Sequence, residues 1–344
     1  MHLVRSAFKC HNPFSFATLS CCFILLIGVL LTACGGSTGG TSTPTTAAKS
    51  KVSVLYAGSL VSVMEKRVGP SFTQSTGYPY EGEGKGSTAL ANEIKGKLRF
   101  PDIFISADPA VNTTLMGANN GNYVSWYAPF IRTSMVIGYN PNSKFAADFQ
   151  AAASGTKNWY QVLQESGIRI GRTDPLLDPK GVRTIELMEL AETYYHQPGL
   201  TNKILGSSEN SSQIFPEEEL VTRLTSGQLD AGFFYLNEVT DASLPFVTLP
   251  TQINLSDPSL NTTYAAATYT NPTTKKVSKG SAIVYTITIP STSKNMAGAI
   301  AFVQFIFSPQ GETLFTNDGL TLATPKLSGD ASTVPSQIQS LFSS

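Results

Sequence analysis

Twice the chain enters a helical pattern through a Gly-Ser pair, and this repeat limits the possible folds more than any other feature. Lys51-Val-Ser-Val-Leu-Tyr56 has the apolar content of a short strand, Ala57-Gly58-Ser59 that of a tight turn, and Leu60, Val61, Met64 and Val68 recur along one side of a helix ending at Val68. Gly86 and Ser87 then precede a helical run with Ala89, Leu90 and Ile94 inward, followed by the apolar strand Pro101–Ser106. Strand, small-residue turn and helix in succession is the order of a parallel sheet with helical crossovers, so an α/β fold is expected. Met135–Tyr139 reads as a further strand of the same unit.

A second group of elements begins near Pro141. Val182, Ile185, Met188, Ala191 and Tyr195 predict a helix, and Pro216 with Glu217, Glu218 and Glu219 predicts another with the proline at its first position, where its missing N–H has no partner to lose. Leu229–Tyr235 reads as a buried strand and Ala282–Pro290 as a long one, able to return into the first unit. Met296–Phe307 reads as a buried helix, and Ser308-Pro309 as the cap of the next.

The N-terminus is organised differently. Arg5 and Lys9 precede an apolar run from Phe14 to Leu31, the order of a secretion signal, and Leu31-Thr-Ala-Cys34 resembles a bacterial lipobox. Residues 1–33 are expected to be removed and Cys34 lipidated. Residues 34–50 are mostly Gly, Ser and Thr and read as a flexible tether to the outer face of the cytoplasmic membrane. Cys10, Cys21 and Cys22 lie upstream of the cut, so the mature chain has no disulfide and must be held by packing. The removed segment contains no acid, leaving 22 basic and 24 acidic residues, a formal charge of −2 with no basic face for nucleic acid. The segment from Lys51 onward exceeds what one core usually serves, which predicts two lobes.

Only His196 remains among the histidines of the mature chain, at a predicted helix end beside Gln197 and Pro198. Histidine-rich zinc sites, thiol nucleophiles and thiol redox pairs are therefore disfavoured, no G-x-S-x-G occurs, and no cofactor is expected. In Gly82–Thr88 the residue Gly86 separates Lys85 from Ser87, unlike a nucleotide phosphate loop. Ser59 and Ser87, with Gly58 and Gly86, each offer a hydroxyl and a backbone N–H at a helix start. Such groups bind anions or simply cap the helix, and two in one lobe favour the first use. Asp174, Asp178 and Glu217–Glu219 read as surface carboxylates, with a hard-cation site the alternative. Tyr194 and Tyr195 read as one packed and one exposed residue rather than as ferric ligands.

Taken in order, Tyr56-Ala-Gly-Ser-Leu60, Gly86-Ser87, Asp102-Ile-Phe-Ile-Ser-Ala-Asp108, Gly171-Arg-Thr-Asp-Pro175, Asp178-Pro-Lys-Gly181, Ser226-Gly-Gln-Leu-Asp230, Tyr285-Thr-Ile-Thr-Ile-Pro290 and Ser308-Pro-Gln-Gly311 resemble the substrate-binding proteins of molybdate/tungstate ABC transporters, in the branch associated with tungstate. The resemblance runs from Lys51 to about Leu327. It implies a two-lobed type II periplasmic-binding-protein fold, each lobe a central β-sheet flanked by helices, with a tetrahedral oxyanion in the interlobe cleft. The expected lobes are 51–138 plus 287–344 and 139–286. It further implies a protein that catalyses nothing and delivers its ligand to a membrane permease; a monomer is expected because nothing in the sequence indicates a dimer surface. Ser59 and Ser87 would bind from one lobe, and the backbone N–H groups of Lys180 and Glu217 and the phenol of Tyr235 from the other.

In that branch two carboxylates can make the metal six-coordinate. Asp178 fits the first place and Phe234 stands in the second, so four-coordinate binding is expected, with the Glu217 side chain turned away. Sulfate, phosphate, ferric ion or an organic anion on the same fold is the alternative cargo. An anchored hydrolase using Ser59 or Ser87 is the more distant alternative.

Overall fold

In the computed structural model of the chain, residues 48–343 are described; the expected signal segment 1–33, Cys34 and the linker up to Ala47 lie outside them. Strand β1 (Val52–Ala57) divides its side chains between two apolar layers, as the period of a strand requires. Leu55 joins the cluster of Leu90, Ala91, Ile94 and Phe104, while Val54 and Tyr56 join that of Val63, Met64, Phe72 and Phe302. With both faces covered, β1 pairs in parallel with β2 (Tyr80–Lys85) and β3 (Ile103–Ser106). The helical turns that follow β1 run on past the expected end at Val68 to Thr76, because a wide turn over Met64–Val68 accommodates Gly69-Pro70.

After β4 (Trp126–Arg132) the chain leaves this sheet. Strand β5 (Met135–Tyr139) is antiparallel to β7 (Ala231–Tyr235) and to β8 (Phe246–Thr248), and the short β6 (Ile170–Gly171) is parallel to β7, giving the order β6-β7-β5-β8. A small hairpin of β9 (Thr268–Thr270) and β10 (Val277–Lys279) follows. Strand β11 (Val284–Thr288) then inserts antiparallel between β3 and β4, while β12 (Thr321–Leu322) and β13 (Ser328–Gly329) both pair with β4. The first sheet therefore runs β12-β4-β11-β3-β1-β2.

This pairing corrects the expected lobe limits. Met135–Tyr139 hydrogen-bonds into the second sheet, so the first crossing falls just before Met135 rather than after Gly138, and the return falls before Val284 rather than at Ile287. The apolar run of β5 suits either sheet; only its partners decide.

The helices that position the cleft are α1 (Ser87–Lys95), α2 (Pro109–Thr113), α3 (Pro179–Tyr194), α4 (Glu217–Thr225), α5 (Leu236–Asp241), α6 (Met296–Ile306) and α7 (Pro309–Thr316). Pro216 sits one place before α4 with extended backbone, a cap rather than the first helical residue. Ser308 caps α7 as expected, its Oγ accepting from the Gly311 N–H at 3.1 Å. Replacing Ser308 by Ala is expected to cost about 1 kcal/mol, seen as a lower urea midpoint with an unchanged slope. Tyr194 is exposed, whereas Tyr195 accepts a hydrogen bond from Trp159 Nε1 at 3.2 Å. No helix among the described residues is long and apolar enough to cross a membrane.

Candidate functional site

Both sheets aim helix starts at one cleft. From the first lobe come Gly58-Ser59, in the tight turn after β1, and Gly86-Ser87 at the start of α1. From the second come Asp178, which caps α3, Glu217, the first residue of α4, and Tyr235 at the end of β7. All are buried. Such helix starts carry partial positive charge and N–H groups without intrahelical partners.

Ser59 Oγ lies 2.9 Å from the hydroxyl of Tyr285, a residue of β11 that belongs to one of the sequence motifs but was not expected in the site. Ser87 Oγ accepts from the Ala107 N–H at 3.1 Å, which leaves its proton to donate elsewhere. The Tyr235 ring meets that of Tyr285 edge-on at 6.1 Å, and the Tyr235 hydroxyl has no hydrogen-bond partner. Burial, with nearby acidic groups, pushes both phenols well above their ordinary values, so they act as neutral donors. Neither serine is hydrogen-bonded to a carboxylate or an imidazole, and His196 is exposed at the far end of α3. The arrangement can bind an oxygen-rich guest but lacks a placed general base for a serine nucleophile.

Three expectations are corrected here. The Lys180 N–H does not face the cleft free, because it donates to Asp178 Oδ1 at 3.1 Å, the usual exchange at an aspartate N-cap. Asp178 and Glu217 are not surface carboxylates: both are buried, and Asp178 Oδ2 and Glu217 Oε2 have no hydrogen-bond partner. The Glu217 side chain turns inward, so that a Cβ placed on Gly58 would stand 2.7 Å from its Oε2. Phe234 packs with Val136, Leu220 and Leu224 on the other face of the sheet, since neighbours in a strand point oppositely. The second buried carboxyl beside the cleft is that of Glu217, not of the residue before Tyr235.

The charges are set by burial. Desolvation pushes the Asp178 carboxyl up to about 6 despite Lys180 and Thr173, and pushes Glu217 well above the ordinary carboxylate range, helped by Asp178. The one ammonium among them is that of Lys180, 2.6 Å from Glu238 Oε1 and 3.3 Å from Glu217 Oε1. Burial lowers its pKa, but Glu238, Glu217 and Asp178 more than offset this and hold it protonated. Glu238, also unforeseen, accepts from the Tyr235 N–H at 2.7 Å, the carboxylate half of a capping box at α5. Among the described residues no grouping of His, Cys, Asp and Glu forms a cation site of three or more.

The lobes are closed on one another. Asn237 Nδ2 donates to the Ser59 carbonyl at 2.7 Å, the Ala89 N–H to the Leu177 carbonyl at 2.9 Å, and Arg183 meets Asp108 at 2.7 Å. Two hollows flank the cluster, one of about 250 Å³ beside Ser59, Glu217 and Glu238 and one of about 330 Å³ beside Gly86, Asp178 and Glu217. A larger hollow, about 510 Å³, lies away from the cluster near Glu83, Arg99 and Phe100. Its Glu83 is already paired with Arg99 at 3.0 Å and Lys85 at 2.6 Å.

Closed lobes around buried hydroxyls and helix starts define a solute-capturing protein, and the sequence comparisons agree. The chain belongs to the bacterial extracellular solute-binding protein family, whose pattern matches residues 52–321. It is 35% identical over 70% of its length to 72% of a Haloferax volcanii protein provisionally named an ABC transporter molybdenum-binding protein. It is 27% identical over 89% of its length to 94% of the molybdate/tungstate-binding protein WtpA of Pyrococcus abyssi. The type II fold is shared with the periplasmic molybdate-binding protein of Azotobacter vinelandii, with a TM-score of 0.56 and 17% identity over 79% of this chain and all of that one.

Proposed function

We propose that this protein captures molybdate or tungstate outside the cell by closing its lobes around the dianion, and passes it to the permease of an ABC importer. The observation that carries the reading is the convergence, inside one buried cleft, of neutral hydroxyls from both lobes with carboxyl oxygens that have no hydrogen-bond partner. Ser59, Ser87, Tyr235 and Tyr285 and the first N–H groups of α1 and α4 supply donors to the oxyanion oxygens. Asp178 and Glu217 supply oxygens to the metal, which Mo and W can add to their coordination shell and S or P cannot. Six-coordinate binding thus replaces the four-coordinate expectation, and it accounts for two buried acids at the seat of an anion. The names carried by the Haloferax and Pyrococcus relatives support the same cargo. Cys34 as lipid anchor and a monomeric state complete the reading.

The test is calorimetry and melting of the mature protein with molybdate, tungstate, sulfate and phosphate. Ligand at a hundredfold above Kd is expected to add about 2.7 kcal/mol of stability for molybdate or tungstate and nothing for the other two. Heat and stabilisation from sulfate or phosphate alone would sink the reading.

A further inference from the structure

Lys180 was expected to contribute through its backbone alone, yet its side chain occupies the centre of the second lobe's contribution to the cleft. The ammonium is fully buried, touches Glu238 Oε1 and Glu217 Oε1, and stands 5.4 Å from the centre of the Tyr235 ring. The other oxygen of Glu238 holds the Tyr235 N–H. One cation therefore fixes the two residues, Glu217 and Tyr235, that present unpartnered oxygens to the guest.

We infer that Lys180 is a positioning and specificity-determining residue. By taking Oε1 of Glu217 it leaves Oε2 directed at Gly58 across the cleft, and its charge lets a carboxylate stand where a dianion must enter. The inference rests on the proposed oxyanion function. A guest whose central atom accepts another oxygen gains from the oriented Glu217; sulfate or phosphate gains nothing from it. Discrimination thus depends on the Lys180–Glu217 contact as well as on the size of the guest.

Lys180→Met alone leaves buried carboxylates bare and threatens the fold. The charge-matched double variant K180M/E238Q limits this by neutralising Glu238, one of the carboxylates so bared. Wild type sets Asp178, Glu217 and Glu238 against Lys180, and the double variant keeps only Asp178 and Glu217, so the formal charge is unchanged. The amide introduced by Glu238→Gln retains an oxygen for the Tyr235 N–H. Wild-type-like melting is expected for the ligand-free double variant, with tungstate and molybdate binding weakened roughly thirtyfold and sulfate still giving no stabilisation, so that the margin between the anions narrows. The tungsten L3-edge spectrum of the bound anion is expected to move from an expanded shell toward a tetrahedral one. A double variant that binds and absorbs like wild type overturns the inference alone, and one that does not fold overturns it by making Lys180 structural. Wild-type protein that binds neither oxyanion overturns the functional reading and this inference together.

Discussion

Gly86→Ala is expected to weaken oxyanion capture at least ~100-fold while leaving the melting of the ligand-free protein unchanged. A Cβ at this position would stand 2.6 Å from the Leu177 carbonyl oxygen and 3.0 Å from Asp178 Cβ, both on the opposite lobe. A backbone carbonyl cannot rotate aside as a flexible side chain does, so the lobes must stop short of contact. The Ala89–Leu177 hydrogen bond is then lost, and the hydroxyls of Ser59 and Ser87 are held away from Tyr235 and Glu217 on the other lobe. With the lobes parted the methyl meets neither atom, which is why stability is spared. Calorimetry with tungstate measures the loss, and small-angle scattering measures its cause: wild type should compact on adding ligand and G86A should not. Wild-type affinity in G86A would show that the contact across the cleft does not limit closure.

Arg183→Met is expected to destabilise the protein by about 3–5 kcal/mol. Arg183 lies within α3 and is buried, with one nitrogen 2.7 Å from Glu186 and another 2.7 Å from Asp108 at the start of α2 in the first lobe. Burial already raises the Glu186 pKa in spite of the guanidinium beside it. Without that partner the carboxylate is left bare in the core, and the clasp between lobes is cut as well. Urea unfolding measures the loss. Adding Glu186→Gln should restore most of the intralobe part, since no unpaired charge then remains, whereas ligand affinity should stay low because Asp108 still lacks its partner. A loss below ~1 kcal/mol would place the energy of this cluster elsewhere.

The parts of the fold legible in the sequence were those where local pattern and tertiary role coincide. Two Gly-Ser turns before helices placed Ser59 and Ser87, and helical spacing located α3 and α6. Strand β2, Tyr-Glu-Gly-Glu-Gly-Lys, was not foreseen because it has no apolar run; as an edge strand it forms by backbone pairing to β1. Glu217 and Lys180 were legible only as helix-start residues, and Glu238 was not foreseen at all. Their side-chain roles arise where α3, α4 and α5 meet, a meeting that no local spacing encodes. The one available signal for Glu238 was its place three residues after Tyr235, the spacing of a capping box. Tyr285 was visible as a phenol at the head of an apolar strand, but its neighbour Ser59 lies across the sheet.

The insertion of β11 between β3 and β4 bears on the order in which the molecule can be built. The second sheet is drawn from one continuous stretch, Met135 to Thr248, and needs nothing made later to complete its pairing. The first sheet is different: until Val284–Thr288 arrives, β3 and β4 each expose a bare edge, and such edges invite pairing with other chains. For a polypeptide leaving the ribosome N-terminus first, the half that begins earliest is thus the half that finishes last, which makes truncation near the C-terminus far more damaging than its distance from the cleft suggests.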